Sequence, residues 1–139
     1  MRAALQLAKL SGFNPIITTA SAQNKDYCCA AGATHVIDYR AMQYASIPAV
    51  VKEITNGPVA VIFDAISTQE SQRADLEILD PNGSLVLTLQ PAINKQTQLE
   101  DNQWIVQTMG IVRGNGNSEF GRAMYTALPR LLADGSIKH

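Results

Sequence analysis

Short apolar runs alternate with helix-length amphipathic stretches over residues 3–90, and this rhythm restricts the fold more than any other feature of the chain. The runs are Pro15 to Thr19 (PIITT), His35 to Asp38 (HVID), Val59 to Phe63 (VAVIF) and Ser84 to Leu89 (SLVLTL). All are rich in β-branched or aliphatic residues and bounded by turn formers, as expected of strands buried on both faces. Helical patterns lie between them. Residues 3–21 read as a helix, a glycine turn at Gly12 and the first strand, and Gln23 to Ala31 as a short helix stopped at Gly32. Ser46 and Pro48 supply a cap and a first-turn proline for a helix with Val50, Val51 and Ile54 on one face, ending at Asn56-Gly57. Thr68 to Leu79 is helical with Leu76 and Leu79 inward, and Asp80-Pro81-Asn82-Gly83 is a four-residue turn. Strands separated by helices need crossover connections, which make the sheet parallel and cover both its faces. The predicted fold is an open, doubly wound, mostly parallel α/β sheet.

Beyond Gln90 the rhythm changes. Residues 91–101 read as a polar surface connection, Trp104 to Val112 as a strand, and Glu119 to Ala133 as a helix carrying Met124, Leu128, Leu131 and Leu132. Pro129 is expected to kink that helix, and Asp134-Gly135 to end it. Ser136 to His139 begin an element that the sequence does not finish. No repeat, low-complexity tract or linker divides the chain, so residues 1–139 are expected to form one domain with ragged ends.

Composition excludes several classes of function. With 46% hydrophobic and 17% charged residues, the chain has the balance of a soluble globular protein. A net charge of −1 and the lack of a basic stripe argue against a nucleic-acid surface. Cys28 and Cys29 are neighbours in a helical segment, where a mutual disulfide would be strained, and read as reduced thiols. There is no signal-peptide pattern and no apolar stretch near the roughly 18 residues of a membrane span, so a cytoplasmic protein is expected. His35 and His139 make no ligand set with the cysteines, and no metal site is expected. Gly114-Asn115-Gly116 with Gly121 has the wrong spacing for a G-x-G-x-x-G phosphate loop and reads as a surface turn or pocket rim. No nucleophile elbow accompanies any Ser, His and acid set, and Trp104 reads as a packing residue.

The segments LQLAKLSGFNPIITTASAQN, AAGATHVIDYR, VIFDAIST, SLVLTLQP and LPRLLADGSIKH, in this order and spacing, carry a specific resemblance. Together they resemble the nucleotide-binding domain of the zinc-free medium-chain dehydrogenase/reductases. Within that superfamily they resemble the fungal trans-acting enoyl reductases that work with polyketide synthases, and their quinone-oxidoreductase relatives. The resemblance implies a Rossmann-type domain. In such a unit a strand and a G-x-G-x-x-G turn precede the first helix and hold the cofactor pyrophosphate. Met1 stands where that turn would be. The expectation is therefore a partial unit lacking the first strand, the glycine turn and the catalytic barrel, with a sticky sheet position where the strand belongs.

The strand ends can be read for cofactor chemistry on this basis. An NAD-preferring Rossmann domain places a carboxylate after its second strand, where it binds the ribose hydroxyls and repels a 2′-phosphate. The corresponding run, Thr19 to Lys25, has no carboxylate. Its hydroxyl, amide and ammonium donors suit a phosphate, which points to NADP(H), with Ser21, Ala22, Gln23 and Asn24 as candidate contacts beside Lys25. The alternative for Ser21 is a cap on the next helix, and the two roles can coexist because a helix N-terminus is itself an anion site. The resemblance implies that Tyr39 contacts the adenosine end of the cofactor; the alternative is an aromatic plug over the sheet edge. It also places Leu89 and Gln90 nearest the nicotinamide, and Asp64, Ile66 and Ser67 near the adenine and ribose.

Two functions follow from different classes. One is an NADPH-dependent enoyl reductase, transferring hydride to an α,β-unsaturated, polyketide-like thioester that is free or carrier-bound, in company with a polyketide synthase. The other is a catalytically silent Rossmann-like domain acting as a binding or accessory module. The sequence assigns no catalytic residue.

Overall fold

A computed structural model describes residues 2–93, 102–108 and 116–138. Helices and strands alternate: α1 (Arg2–Leu10), β1 (Ile17–Ala20), α2 (Lys25–Ala31), β2 (His35–Asp38), α3 (Ile47–Thr55), β3 (Val59–Asp64), α4 (Gln69–Ile78), β4 (Leu79–Leu87), β5 (Trp104–Gln107) and α5 (Ser118–Ala133). Among the described residues every strand pairing is parallel, β1 with β2 and β3 with β4 with β5, in two separate sheets. The α/β architecture with parallel sheets is the predicted one.

At β2 both faces are covered because neighbouring strand residues serve different cores, whereas β3, expected to be buried on both faces, leaves Val61 46% and Phe63 48% exposed. In β2, Val36 packs with Leu5, Ile16, Cys28 and Ala31, beneath α1 and α2. The next residue, Ile37, packs with Ile47, Val51 and Ile78 on α3 and α4. Successive side chains of a strand point to opposite faces, so this split requires helices on both. Leu85 and Leu87 of β4 are 0% exposed and form a third cluster with Leu79. Thr34 fastens the start of β1 to β2, its Oγ1 accepting from the Ile16 N–H at 2.9 Å and donating to the Ile16 C=O at 3.0 Å.

The local signals act largely as their chemistry demands. Gly32 ends α2 at φ +122, and a Cβ there would lie 3.0 Å from Lys9 Cβ and 3.1 Å from the Leu5 carbonyl oxygen, so glycine lets α1 close on α2. Thr68 caps α4 through a reciprocal box with Ser71: the Ser71 N–H donates to Thr68 Oγ1 at 3.1 Å and the Thr68 N–H to Ser71 Oγ at 3.0 Å. At α3 the expected cap differs. Ser46 closes a turn of 3₁₀ helix (Tyr44–Ser46) with helical φ and ψ, which takes its side chain away from the capping position, and it makes no cap bond.

Two boundaries also move. Leu79 is buried as expected, but it opens β4 rather than closing α4. Asp80 to Gly83 therefore lie inside the β4 span as an irregularity: Leu79 pairs with Val59, and pairing resumes at Ser84 with Val61. The turn chemistry survives there, since Asp80 Oδ1 accepts from the Asn82 N–H at 2.8 Å. α5 continues through Pro129, and its only buried residue is Gly121, with Leu132 at 39% exposure. Near the far end Ile137 is buried, and the amide of buried Gln6 pairs with the backbone of Lys138. Residues 94–101 of the expected surface connection, 109–112 of the expected strand, and Gly114, Asn115 and His139 lie outside the described residues.

Candidate cofactor-binding site

Loops at the C-terminal ends of parallel strands line the crevice in open α/β sheets. The candidate residues stand at such ends: Ser21 to Asn24 after β1, Tyr39 after β2, Leu89 and Gln90 after β4. Tyr44 links the two sheets at this edge. It packs against the cluster of Ile37, Ile47, Val51 and Ile78, and burial, then the charges of Tyr39 and Asp64, push its hydroxyl pKa upward.

After β1, Ala22–Asn24 form a turn of 3₁₀ helix, with Ser21 buried and Ala22, Gln23, Asn24 and Lys25 exposed. Ser21 makes no side-chain cap bond; its Oγ accepts from Asn24 Nδ2 at 3.1 Å. Ser21 thus fixes the amide of Asn24, while Gln23, Asn24 and Lys25 present donors to solvent. After β2, Asp38 Oδ1 accepts from the Arg40 N–H at 2.9 Å, and the Arg40 guanidinium lies 5.8 Å from the Tyr39 ring centroid. That stacking gives the half-buried Tyr39 a cationic flank.

The segment after β4 is held by Gln72 of α4. This fully buried amide accepts from the Ala92 N–H at 2.9 Å and the Ile93 N–H at 3.2 Å through Oε1, which leaves Leu89 and Gln90 exposed at the strand end. The end of β3 is built more tightly. Asp64 Oδ1 accepts from the N–H groups of Ile66 at 2.7 Å and Ser67 at 2.9 Å, and Oδ2 from Ser71 Oγ at 3.1 Å. These bonds hold Ser67 at φ +56, a conformation that costs a serine about 1 kcal/mol. Asp64 is thereby a loop anchor, and it faces inward.

Opposite Asp64 lies a carboxyl group to which the sequence reading gave no role. Asp75 shares a side-chain hydrogen bond with Asp64, and its Oδ2 is buried without a partner. Burial, then the Asp64 charge, then that hydrogen bond raise its pKa to about 8. A signal was present: Asp75 follows Ser71 by four residues and precedes Ile78 by three, on the inward face of α4. Both carboxyls line a cleft of about 540 Å³ between β1 and β3. The cysteines take no part. Cys28 is buried with its thiol pKa pushed up by burial, and Cys29 is exposed.

Residues 2–127 match the family described as Zinc-binding dehydrogenase. The chain belongs to that family. Within it, the sequence groups with the nucleotide-binding domains of the medium-chain dehydrogenase/reductases. It is 44% identical over 70 residues to the trans-enoyl reductase poxP of Penicillium oxalicum, covering 50% of this chain and 18% of that protein. It is 31% identical over 97 residues to the dual trans-enoyl reductase/FAD-dependent monooxygenase tazHJ of Aspergillus terreus, covering 70% of this chain and 14% of that one. The chain thus spans less than a fifth of the length of these relatives. In fold it matches the nucleotide-binding subdomain of the enoylreductase domain of PpsC from Mycobacterium tuberculosis, with a TM-score of 0.74 and 19% identity over 99% of this chain and 78% of that one.

The family description implies zinc, which the donor set does not fit. Among the described residues no three His, Cys, Asp or Glu side chains converge on a common point. A pyridine nucleotide fits better, since exposed donors flank the crevice edge after β1 and β2. Among the described residues no helix is long and apolar enough to cross a membrane.

Proposed function

We propose that residues 1–139 are a partial Rossmann-type domain serving an NADPH-dependent oxidoreductase of the enoyl-reductase type. The observation that carries this reading is the β1 exit: in a dehydrogenase-family domain, the exposed Gln23, Asn24 and Lys25 form a donor surface with no carboxylate between Thr19 and Lys25. Asn24 and Lys25 bind the 2′-phosphate, with Ser21 steadying Asn24. Gln23 and the backbone at Ala22 border the same pocket, Tyr39 with Arg40 covers the adenosine end, and Leu89 and Gln90 flank the nicotinamide. When bound, NADPH supplies hydride for the β-carbon of an α,β-unsaturated thioester, whose α-carbon then takes a proton. The relatives' names support an enoyl substrate, here taken to be a polyketide-type thioester, free or on a carrier, with a polyketide synthase as partner. The described residues orient the cofactor, and none of them is assigned to the proton transfer. A cytoplasmic location accords with this role.

Calorimetric titration of the chain with NADPH and NADH tests the assignment, and equal or reversed affinity would overturn it. The division of the strands into two sheets favours a second reading, a domain that retains adenosine binding without turnover. Enoyl-thioester-dependent NADPH oxidation by the purified chain would exclude that reading, and binding without oxidation would uphold it.

A further inference from the structure

The exit of β4 is fastened at two points. Where the strand ends, the Thr88 N–H donates to the Asp64 C=O at 3.2 Å, and the Leu87 C=O accepts from the Thr108 N–H at 2.8 Å and from Thr108 Oγ1 at 3.1 Å. Farther along, Gln72 Oε1 accepts from the Ala92 and Ile93 N–H groups. Leu89, Gln90 and Pro91 bridge the two fastenings. Pro91 has no N–H and a fixed φ, so the bridge has little freedom of its own. Gln72 is an unusual choice for the place it occupies. It is 0% exposed, and its Nε2 is buried with no partner among the described residues. An apolar side chain of the same length would fill the space without leaving a buried donor unsatisfied. Two backbone donors meeting at one oxygen fix which end of the amide faces the segment. The preceding residue does the matching job for β3: Ser71 Oγ donates to Asp64 Oδ2 at 3.1 Å, and Asp64 Oδ1 holds the Ile66 and Ser67 N–H groups. The first turn of α4 thus braces both strand exits, Ser71 that of β3 and Gln72 that of β4.

We propose that Gln72 is a positioning residue for the reacting half of the cofactor: by anchoring Ala92 and Ile93 it holds Leu89, Gln90 and Pro91 as a fixed wall beside the nicotinamide. This role rests on the cofactor reading, which puts Leu89 and Gln90 at that ring. A wall ordered before the ring arrives removes the entropy loss of ordering it on binding. Without the Gln72 oxygen, the Ala92 and Ile93 N–H groups must turn to water for partners, and the bridge moves with them. The adenosine half is served by other fastenings. Ser21 holds Asn24 after β1, Asp38 holds the Arg40 backbone after β2, and the Ser71 bond to Asp64 does not pass through the Gln72 side chain. Loss of the Gln72 acceptor is therefore felt at one end of the cofactor only.

The 139-residue parent chain is compared with Gln72→Met, which keeps the side-chain length and loses the acceptor, and with Gln72→Glu, which restores an acceptor oxygen. Hydrogen exchange at the Ala92 and Ile93 amides should quicken by at least about tenfold in Gln72→Met and stay near the parent rate in Gln72→Glu. By calorimetry, affinity for NADPH should fall about tenfold in Gln72→Met while that for 2′-phospho-AMP holds within about twofold, and Gln72→Glu should recover most of the loss. Ala92→Pro removes one of the two donors from the segment itself, at a half-buried position, and should reproduce the selective loss if Gln72→Met does not fold. Unchanged exchange in Gln72→Met, equal loss of both ligands, or unchanged affinity for NADPH would each overturn the role of Gln72 and leave the cofactor reading standing. A parent chain that binds neither ligand would overturn the cofactor reading and this role with it.

Discussion

Replacing Asp75 by asparagine converts a titrating buried carboxyl group into a neutral amide of nearly the same shape. Asp75 has its pKa raised from 3.8 to about 8 in the folded chain. The folded state therefore holds a proton that the unfolded state releases above about pH 4, and stability falls as pH rises through the interval between the two values. At about 1.36 kcal/mol per pH unit, with the slope flattening near the folded pKa, the loss between about pH 6 and pH 8 comes to about 2 kcal/mol. Against total stabilities of roughly 5–15 kcal/mol for domains of this kind, that is readily measured. Urea unfolding at the two pH values is the assay. With a slope of about 2 kcal/mol per molar, the midpoint of the parent chain should drop by about 1 M, while that of Asp75→Asn should hardly move. At about pH 8 the variant should be the more stable of the two. A parent midpoint that does not depend on pH, or an Asp75→Asn chain with the same dependence as the parent, would refute the account of a buried Asp75 carboxyl held protonated beside Asp64.

Lys25→Glu should weaken NADPH selectively, by about 1–3 kcal/mol, because it removes a charge-assisted bond and adds a repelling carboxylate; calorimetry against NADH as the internal control checks this. Tyr39→Ala should weaken binding of 2′-phospho-AMP while leaving the circular dichroism spectrum intact, and loss of folding at unchanged affinity per folded molecule would make Tyr39 a structural plug. Thr68→Ala should cost about 1 kcal/mol in denaturant unfolding, as expected for loss of a reciprocal cap. Leu87→Ala should cost about 2–5 kcal/mol by the same measurement, since Leu87 is 0% exposed and its removal leaves a cavity.

The legible parts of this chain are those governed by local chemistry. Runs such as VAVIF announce strands because β-branched and aliphatic residues between turn formers have few other stable arrangements, and Gly32 and Asn56 end helices where the backbone turns left-handed. Crossover connections then fix parallel pairing, which gathers the strand ends before any coordinate is known. The end of α4 escapes the same reasoning. Leu79 continues the helical periodicity, and only its pairing with Val59 draws it into β4. Ser46 has the right residue type for a cap but the wrong backbone, because a preceding helical turn claims it. At the site, the donor run after β1 is readable, yet the bond that turns Ser21 inward to Asn24 is not. Asp75 is hidden for a related reason: its proton affinity comes from burial and then from Asp64, a group on another element, and periodicity says nothing about what a helix face meets.

The contact between Gln6 and Lys138 joins residues 132 positions apart. During synthesis, α1, β1, α2 and β2 are complete by Asp38 and can settle against one another, but the backbone that engages Gln6 emerges about a hundred residues later. At about 5–20 residues per second, a ribosome leaves that amide waiting on the order of ten seconds. Throughout that interval the nascent chain has a polar vacancy beside its first helix, open to water and to chaperones, which closes only when Ile137 and Lys138 arrive. Ile137 and Lys138 therefore work as a late fastening, and a ribosome stalled within α5 would display a chain whose first layer is formed but unlatched.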